Sequence, residues 1–188
     1  MLANRSPAAR VAAMFRLTTS IAFTAVWVIQ SIVAAPASAQ TPKPIGSYGD
    51  WQALTYEENG KPVCYVFTEP AKKEGQYTSR GQVYALVTHR PADKKLNVFT
   101  IISGYTFKED SDAVLEIGDQ KFTLFTQEGM AWANDEDDPK IVEALKKGTG
   151  MVMHGISNRG TETVDTYSLK GFSKAYDAIG DACSLKPE

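Results

Sequence analysis

The side chains able to do chemistry are few and scattered. Histidine occurs only as His89 and His154. A serine or cysteine nucleophile needs an imidazole beside it and an acid to orient the ring. No G-x-S-x-G elbow accompanies either histidine. His89 precedes Arg90-Pro91 and reads as an exposed imidazole at a strand end. His154 alternates with Val152 and Ile156, which predicts packing within a sheet. Zinc needs three or four ligands, and these two histidines have neither C-x-x-C nor H-E-x-x-H spacing around them.

Asp135-Glu136-Asp137-Asp138 offers hard oxygen ligands, but without the alternating spacing, central glycine and closing glutamate of a calcium loop. Before Pro139 the run reads as the acidic start of a helix, where the macrodipole favours negative charge. One further acid, Asp165, lies in the middle of a strand-like run between Val164 and Thr166. If buried there it needs a donor, for which Arg159 and Lys170 are the nearby candidates. Asp165, Arg159 and His154 therefore form the candidate polar core or site, with a perturbed acid in a pocket as its functional alternative. No phosphate-cradling glycine loop occurs, so no cofactor, metal or catalytic residue is assigned. Spacing singles out no carboxylate pair of the glycosidase kind.

The N-terminus sets the compartment. Arg5, Arg10 and Arg16 precede a mostly apolar run over residues 17–33, and Ala37-Ser38-Ala39 supplies a small-residue cleavage site. This is the layout of a secretory signal peptide over residues 1–39. The alternative, a retained anchor, has a run of about 17 residues, the lower edge of a spanning helix. Its threonines, serines and Gln30 weaken that option. Removing residues 1–39 from 188 leaves 149 and takes away three of the 20 basic side chains and none of the 22 acids, leaving 17 against 22. That balance excludes a basic footprint for nucleic acid. In an exported chain the two cysteines, Cys64 and Cys183, point to a disulfide, two buried thiols being the alternative.

The remaining pattern describes what must hold these residues. Residues 40–47, Pro-rich and polar, are expected to be an extended or loose lead-in, with one domain over 48–188. Strands are expected near residues 48–56, 62–68, 82–89, 95–103, 113–117, 121–126, 130–133, 149–156 and 161–167. Asn59-Gly60 marks a tight hairpin, and residues 69–80 a charged, flexible connection. Residues 95–103 are apolar on both faces and so central in a sheet. Pro139 and Gly148 bracket a short helix. Phe172, Ala175, Tyr176 and Ile179 make one face of a second. Trp51, Tyr105, Phe107 and Trp132 read as core, with an exposed partner-binding patch as the alternative. Some nine short strands and two short helices give an all-β antiparallel β-sandwich.

Several blocks together resemble the invasion-associated locus B family. They are Gly49-Asp50-Trp51, Cys64, Ala131-Trp132-Ala133, the helix over 141–147 with Gly148, Arg159-Gly160-Thr161, residues 165–172 and Cys183. The likeness spans residues 45–185, and Ser168-Leu169-Lys170-Gly171-Phe172 is its most specific part. It implies an immunoglobulin-like β-sandwich in the cell envelope of Gram-negative bacteria, periplasmic or outer-membrane-associated, and a link to host-cell invasion. The family also occurs in bacteria with no host, and it offers no catalytic residues to carry over. Some members have more cysteines, so the pairing of Cys64 with Cys183 rests on their count. The expected function is non-enzymatic binding of a protein or other envelope component. Its rivals are an envelope hydrolase with a hidden carboxylate site and a structural or chaperone-like partner of an outer-membrane complex.

Overall fold

A computed structural model describes residues 41–185; the expected signal peptide lies outside the described residues. Eleven strands form among these described residues, most of them with alternating inward and outward side chains. They are β1 (Lys43–Tyr48), β2 (Trp51–Glu58), β3 (Lys61–Thr68), β4 (Lys72–Gly75), β5 (Tyr84–Arg90) and β6 (Lys95–Ile102). After them come β7 (Ala113–Ile117), β8 (Gln120–Gln127), β9 (Met130–Trp132), β10 (Gly150–Ile156) and β11 (Glu162–Ser168). The helices are α1 (Asp138–Lys147) and α2 (Phe172–Ala182).

All strand pairs are antiparallel, in the order β1-β2-β3-β5-β6-β9-β8-β7-β10-β11-β4. β8 joins two layers, pairing with β7 through Ala113↔Leu124 and with β9 through Phe125↔Trp132. The inner faces of both layers share one core. Trp51, Val66, Val87 and Phe99 come from one layer, and Leu115, Leu124, Met151 and Tyr167 from the other. The expected β-sandwich is present, with the helices packed on the inner side of the β1–β6 layer.

Two stretches of the chain are more ordered than their composition suggests. Residues 43–47, expected to be a loose lead-in, form the edge strand β1, with Lys43 opposite Thr55 and Tyr48 opposite Trp51. Residues 72–75, inside the expected flexible connection, form β4 against β11. Both strands are charged or Pro-bearing and lie at sheet edges, where pairing on one side suffices and such residues discourage further pairing.

The family-like blocks at the two ends meet in space. The Asp50 N–H donates to the Lys170 carbonyl at 3.0 Å, and the Trp51 indole N–H donates to the Ser168 carbonyl at 3.0 Å. The Trp51 ring meets Phe172 edge-on at 4.9 Å. Gly49 and Gly171 both have positive φ, and a Cβ on Gly171 would overlap the Tyr48 carbonyl. Only glycine allows this close approach at that φ. Cys64 on β3 bonds Cys183 just beyond α2, with Cα atoms 6.0 Å apart. These signature residues thus fasten the C-terminus onto the first strands.

Candidate functional site

Along β11 the side chains of Thr163, Asp165 and Tyr167 point inward, and Asp165 is 2% exposed. The donor it needs is neither Arg159 nor Lys170. Arg80, 85 positions earlier, donates through Nη1 to Oδ1 at 2.7 Å and through Nη2 to Oδ2 at 2.6 Å. Arg80 Nε also donates to the Ser103 carbonyl at 2.7 Å. The guanidinium lies 4.9 Å from the Tyr105 ring centre and 5.5 Å from that of Tyr77. Burial pulls the Arg80 pKa down, but the hydrogen bonds and charge of Asp165 more than offset this and hold it above its ordinary value. The result is a two-pronged buried ion pair that stitches residues 76–81 to β11.

Above this pair opens a cleft of about 600 Å³ between residues 76–81, residues 104–106 and the β10–β11 turn. Its walls are held by backbone. The Gly81 N–H donates to the Gly104 carbonyl at 2.9 Å, and the Asn158 N–H to the Thr106 carbonyl at 2.8 Å. The Tyr105 hydroxyl shares a 2.6 Å hydrogen bond with Thr163 Oγ1. Burial raises the Tyr105 phenol, against smaller opposing effects of that bond and of Arg80, so the ring stays protonated. The lining contains two arginines, one of them the exposed Arg159, and no carboxylate.

The structure therefore brings Arg159 to the mouth of the cleft and places Asp165 beneath it, but it does not add His154. That residue faces outward on β10, with a side chain 43% exposed and Nε2 3.9 Å from Glu116. The expected packing within the sheet fails because Val152, His154 and Ile156 share the half-exposed outer face, while Met151 and Met153 take the core.

His89 is the reverse case. Expected at an exposed strand end, it is 1% exposed, because α2 lays Tyr176 edge-on against it at 5.2 Å. Its Nδ1 accepts the Asn97 N–H at 3.1 Å. Burial, then the charge of Lys146, lowers its pKa to about 4.

In the acidic run, Asp137 is the N-cap residue of α1. Asp138 is buried and accepts the Phe99 N–H at 2.8 Å. Burial above all, with the charges of Asp135 and Asp137 adding to it, pushes its carboxyl up to about 6. Among the described residues no cluster of three or more metal-ligating side chains occurs.

The second candidate surface is the outer face of the β2–β3–β5–β6–β9–β8 layer. Trp51 and Phe107 are core, but Trp132 lies half-buried on this outer face and stacks on Phe125 at 5.6 Å. Phe125 is 46% exposed and Met130 42%. Tyr56, Tyr65, Phe67 and Tyr84 form a chain of ring contacts 5.5–6.2 Å apart. Cross-strand pairs Tyr84↔Ile102, Leu86↔Thr100 and Thr100↔Trp132 make the two aromatic groups one continuous surface. The sequence signal was the doubly apolar pattern of the β6 segment, which extends to its neighbours in the sheet. At the margin, Arg90 is paired with Glu58 and Lys95 with Asp135.

A family model described as Invasion associated locus B (IalB) protein matches residues 51–180. The crystal structure of invasion associated protein b from Bartonella henselae is similar, with a TM-score of 0.54 and 16% identity, covering 77% of this chain and 97% of that one. At that identity the likeness shows the fold. No curated protein sequence matches.

Proposed function

The chain belongs to the invasion associated locus B family, and from that premise we propose that it is an exported cell-envelope protein that works by binding a protein partner. The observation that carries this reading is an outer face on which the aromatic run Tyr65, Phe67 and Tyr84 and the stacked Trp132–Phe125 pair are bridged by Leu86, Thr100 and Ile102. Contiguous exposed apolar surface larger than a few hundred Å² marks interaction sites, and aromatic residues are enriched in the cores of protein interfaces.

The chemistry of this face favours a protein over a lipid surface. The Tyr56 hydroxyl accepts from Arg90 at 2.9 Å, while the phenol hydroxyls of Tyr65 and Tyr84 and the hydroxyls of Thr88 and Thr100 are interleaved with the rings, and a protein partner can satisfy them by hydrogen bonding. The marginal cations Arg90 and Lys95 are paired with acids, which weakens the pull of this edge on anionic lipid. Envelope placement is supported by the family and by the signal-peptide pattern of residues 1–39. Among the described residues no helix is long and apolar enough to cross a membrane.

The hydrolase reading has less support. Two-carboxylate glycoside chemistry needs a facing pair, and the cleft lining holds none. Both oxygens of Asp165 accept from Arg80.

The test is affinity capture from crosslinked envelopes with three forms of the mature chain: unaltered, Phe67→Ser/Trp132→Ser, and Arg159→Gln. One stoichiometric partner retained by the unaltered and Arg159→Gln forms, and lost with the face variant, is the expected result. Equal capture by all three forms would remove the face from the interaction.

A further inference from the structure

We propose that the cleft between residues 76–81 and the β10–β11 turn is a binding site for an acidic saccharide. The inference is independent of the aromatic face, none of whose residues lines the cleft.

Charge supplies the first argument. The mature chain is acidic, yet the cleft lining carries two arginines and no aspartate or glutamate. Arg80 is fully engaged by Asp165. Arg159 is exposed on the turn and has no ion pair with any described residue, so its five N–H donors face the cleft mouth and solvent uncommitted. A guanidinium in that state matches a carboxylate or sulfate group by a two-pronged charged contact.

The rest of the lining argues against a bare anion. A phosphate-sized ligand would fill little of a cleft of about 600 Å³, a volume in the range of small-molecule sites. The side chains of Gln76, Thr106, Asn158 and Thr161 line it and make no hydrogen bond with described residues. They offer a dispersed set of donors and acceptors suited to a ligand carrying many hydroxyls. Tyr77 and Tyr105, whose hydroxyls are engaged by Arg80 and Thr163, add half-buried apolar rings. One free cation, several neutral polar groups and two tyrosine rings together describe an acidic sugar better than a nucleotide, since among the described residues the lining offers no second free cation for a diphosphate.

The cleft is also built in advance. The Arg80–Asp165 pair and the Gly81–Gly104 and Asn158–Thr106 backbone bonds fix three of its walls before any ligand arrives. A preformed site loses little freedom on binding.

The experiment is calorimetric titration of the oxidised mature chain with a trisaccharide of a uronic acid, the neutral trisaccharide of the same linkage, and inorganic phosphate. The acidic trisaccharide is expected to bind at least tenfold more tightly than the other two and to weaken as salt rises. Arg159→Gln is expected to lose about tenfold or more in affinity for it. Lys174→Gln, which removes the same charge from the exposed face of α2, is expected to lose none. Equal binding of the neutral sugar, equal binding of phosphate, an unaffected Arg159→Gln form, or no detectable heat at millimolar acidic sugar would each overturn the proposal. Arg159 makes no packing contact in the core, and unchanged thermal unfolding of its variant separates lost binding from lost fold.

Discussion

Replacing either member of the Arg80–Asp165 pair should expose how much the cleft depends on it. Arg80→Met leaves the Asp165 carboxylate 2% exposed with no cation, and strips the Ser103 carbonyl of its Arg80 donor. Asp165→Leu leaves a guanidinium whose side chain is 4% exposed facing a hydrocarbon. Removing one partner of a buried ion pair costs about 3–5 kcal/mol, because the other charge stays buried and unpaired. At roughly 2–4 °C per kcal/mol for a chain of this size, each single substitution should lower Tm by roughly 6–20 °C. The double substitution removes both charges. Its loss reduces to the Ser103 hydrogen bond and imperfect packing, on the order of 1–2 kcal/mol. The two single losses should therefore sum to at least ~4 kcal/mol more than the loss of the double, a coupling readable from urea unfolding of the four oxidised forms followed by far-UV circular dichroism. Single losses below ~1 kcal/mol, or losses that add in the double, would mean that the pair is hydrated in solution and does not fasten residues 76–81.

Three further predictions follow from other parts of the fold. The Cys64–Cys183 bond closes a separation of 119 residues, so reduction, or Cys64→Ala/Cys183→Ala, should cost ~5 kcal/mol by the chain-entropy account. A loss under ~1 kcal/mol in urea unfolding would contradict the tether. Gly171→Ala forces a Cβ into the Tyr48 carbonyl at φ +93 and should destabilise by at least ~2 kcal/mol, whereas Gly180→Ala, which meets nothing within 4 Å, should be neutral or mildly stabilising; equal effects would refute the close approach.

The third prediction concerns pH, where two buried groups oppose each other. Asp138 rises from 3.8 to about 6, so its contribution is full below pH ~4 and is lost as pH climbs through 6. His89 falls from 6.5 to about 4, so its contribution is full above pH 6.5 and is lost as pH drops toward 4. The unaltered protein should show a flattened Tm profile between pH 4 and 6.5. Asp138→Asn keeps an oxygen for the Phe99 N–H and should show Tm rising with pH across that window. A flat profile for this variant would deny the burial of His89.

The alternation of apolar residues made most of the sandwich legible. It located nine of the strands. The helices were legible from Pro139, Gly148 and the Phe172–Ile179 spacing, and the disulfide from two cysteines in a chain whose N-terminal pattern predicts export. What the sequence hid depends on partners distant along the chain. β1 and β4 carry no apolar alternation and exist by pairing with β2 and β11. Arg80 sits in a charged stretch that resembles a linker, and only the fold brings it 85 positions forward to Asp165. His89 looks like a strand end until α2 returns to cover it. The specific blocks Gly49-Asp50-Trp51 and 168–172 proved to be joinery between the chain's two ends. The two candidate surfaces draw instead on residues such as Phe67, Tyr84, Tyr77 and Asn158, mostly outside those blocks.

The most direct test of the binding account is photo-crosslinking in intact envelopes, with a photoreactive phenylalanine analogue at Phe125 or Tyr84 and, for comparison, at His154 on the opposite layer. The account predicts one discrete protein adduct from Phe125 and Tyr84, lost when Trp132→Ser is added, and none from His154. The same adducts from all three positions, or none from the aromatic face, would contradict it.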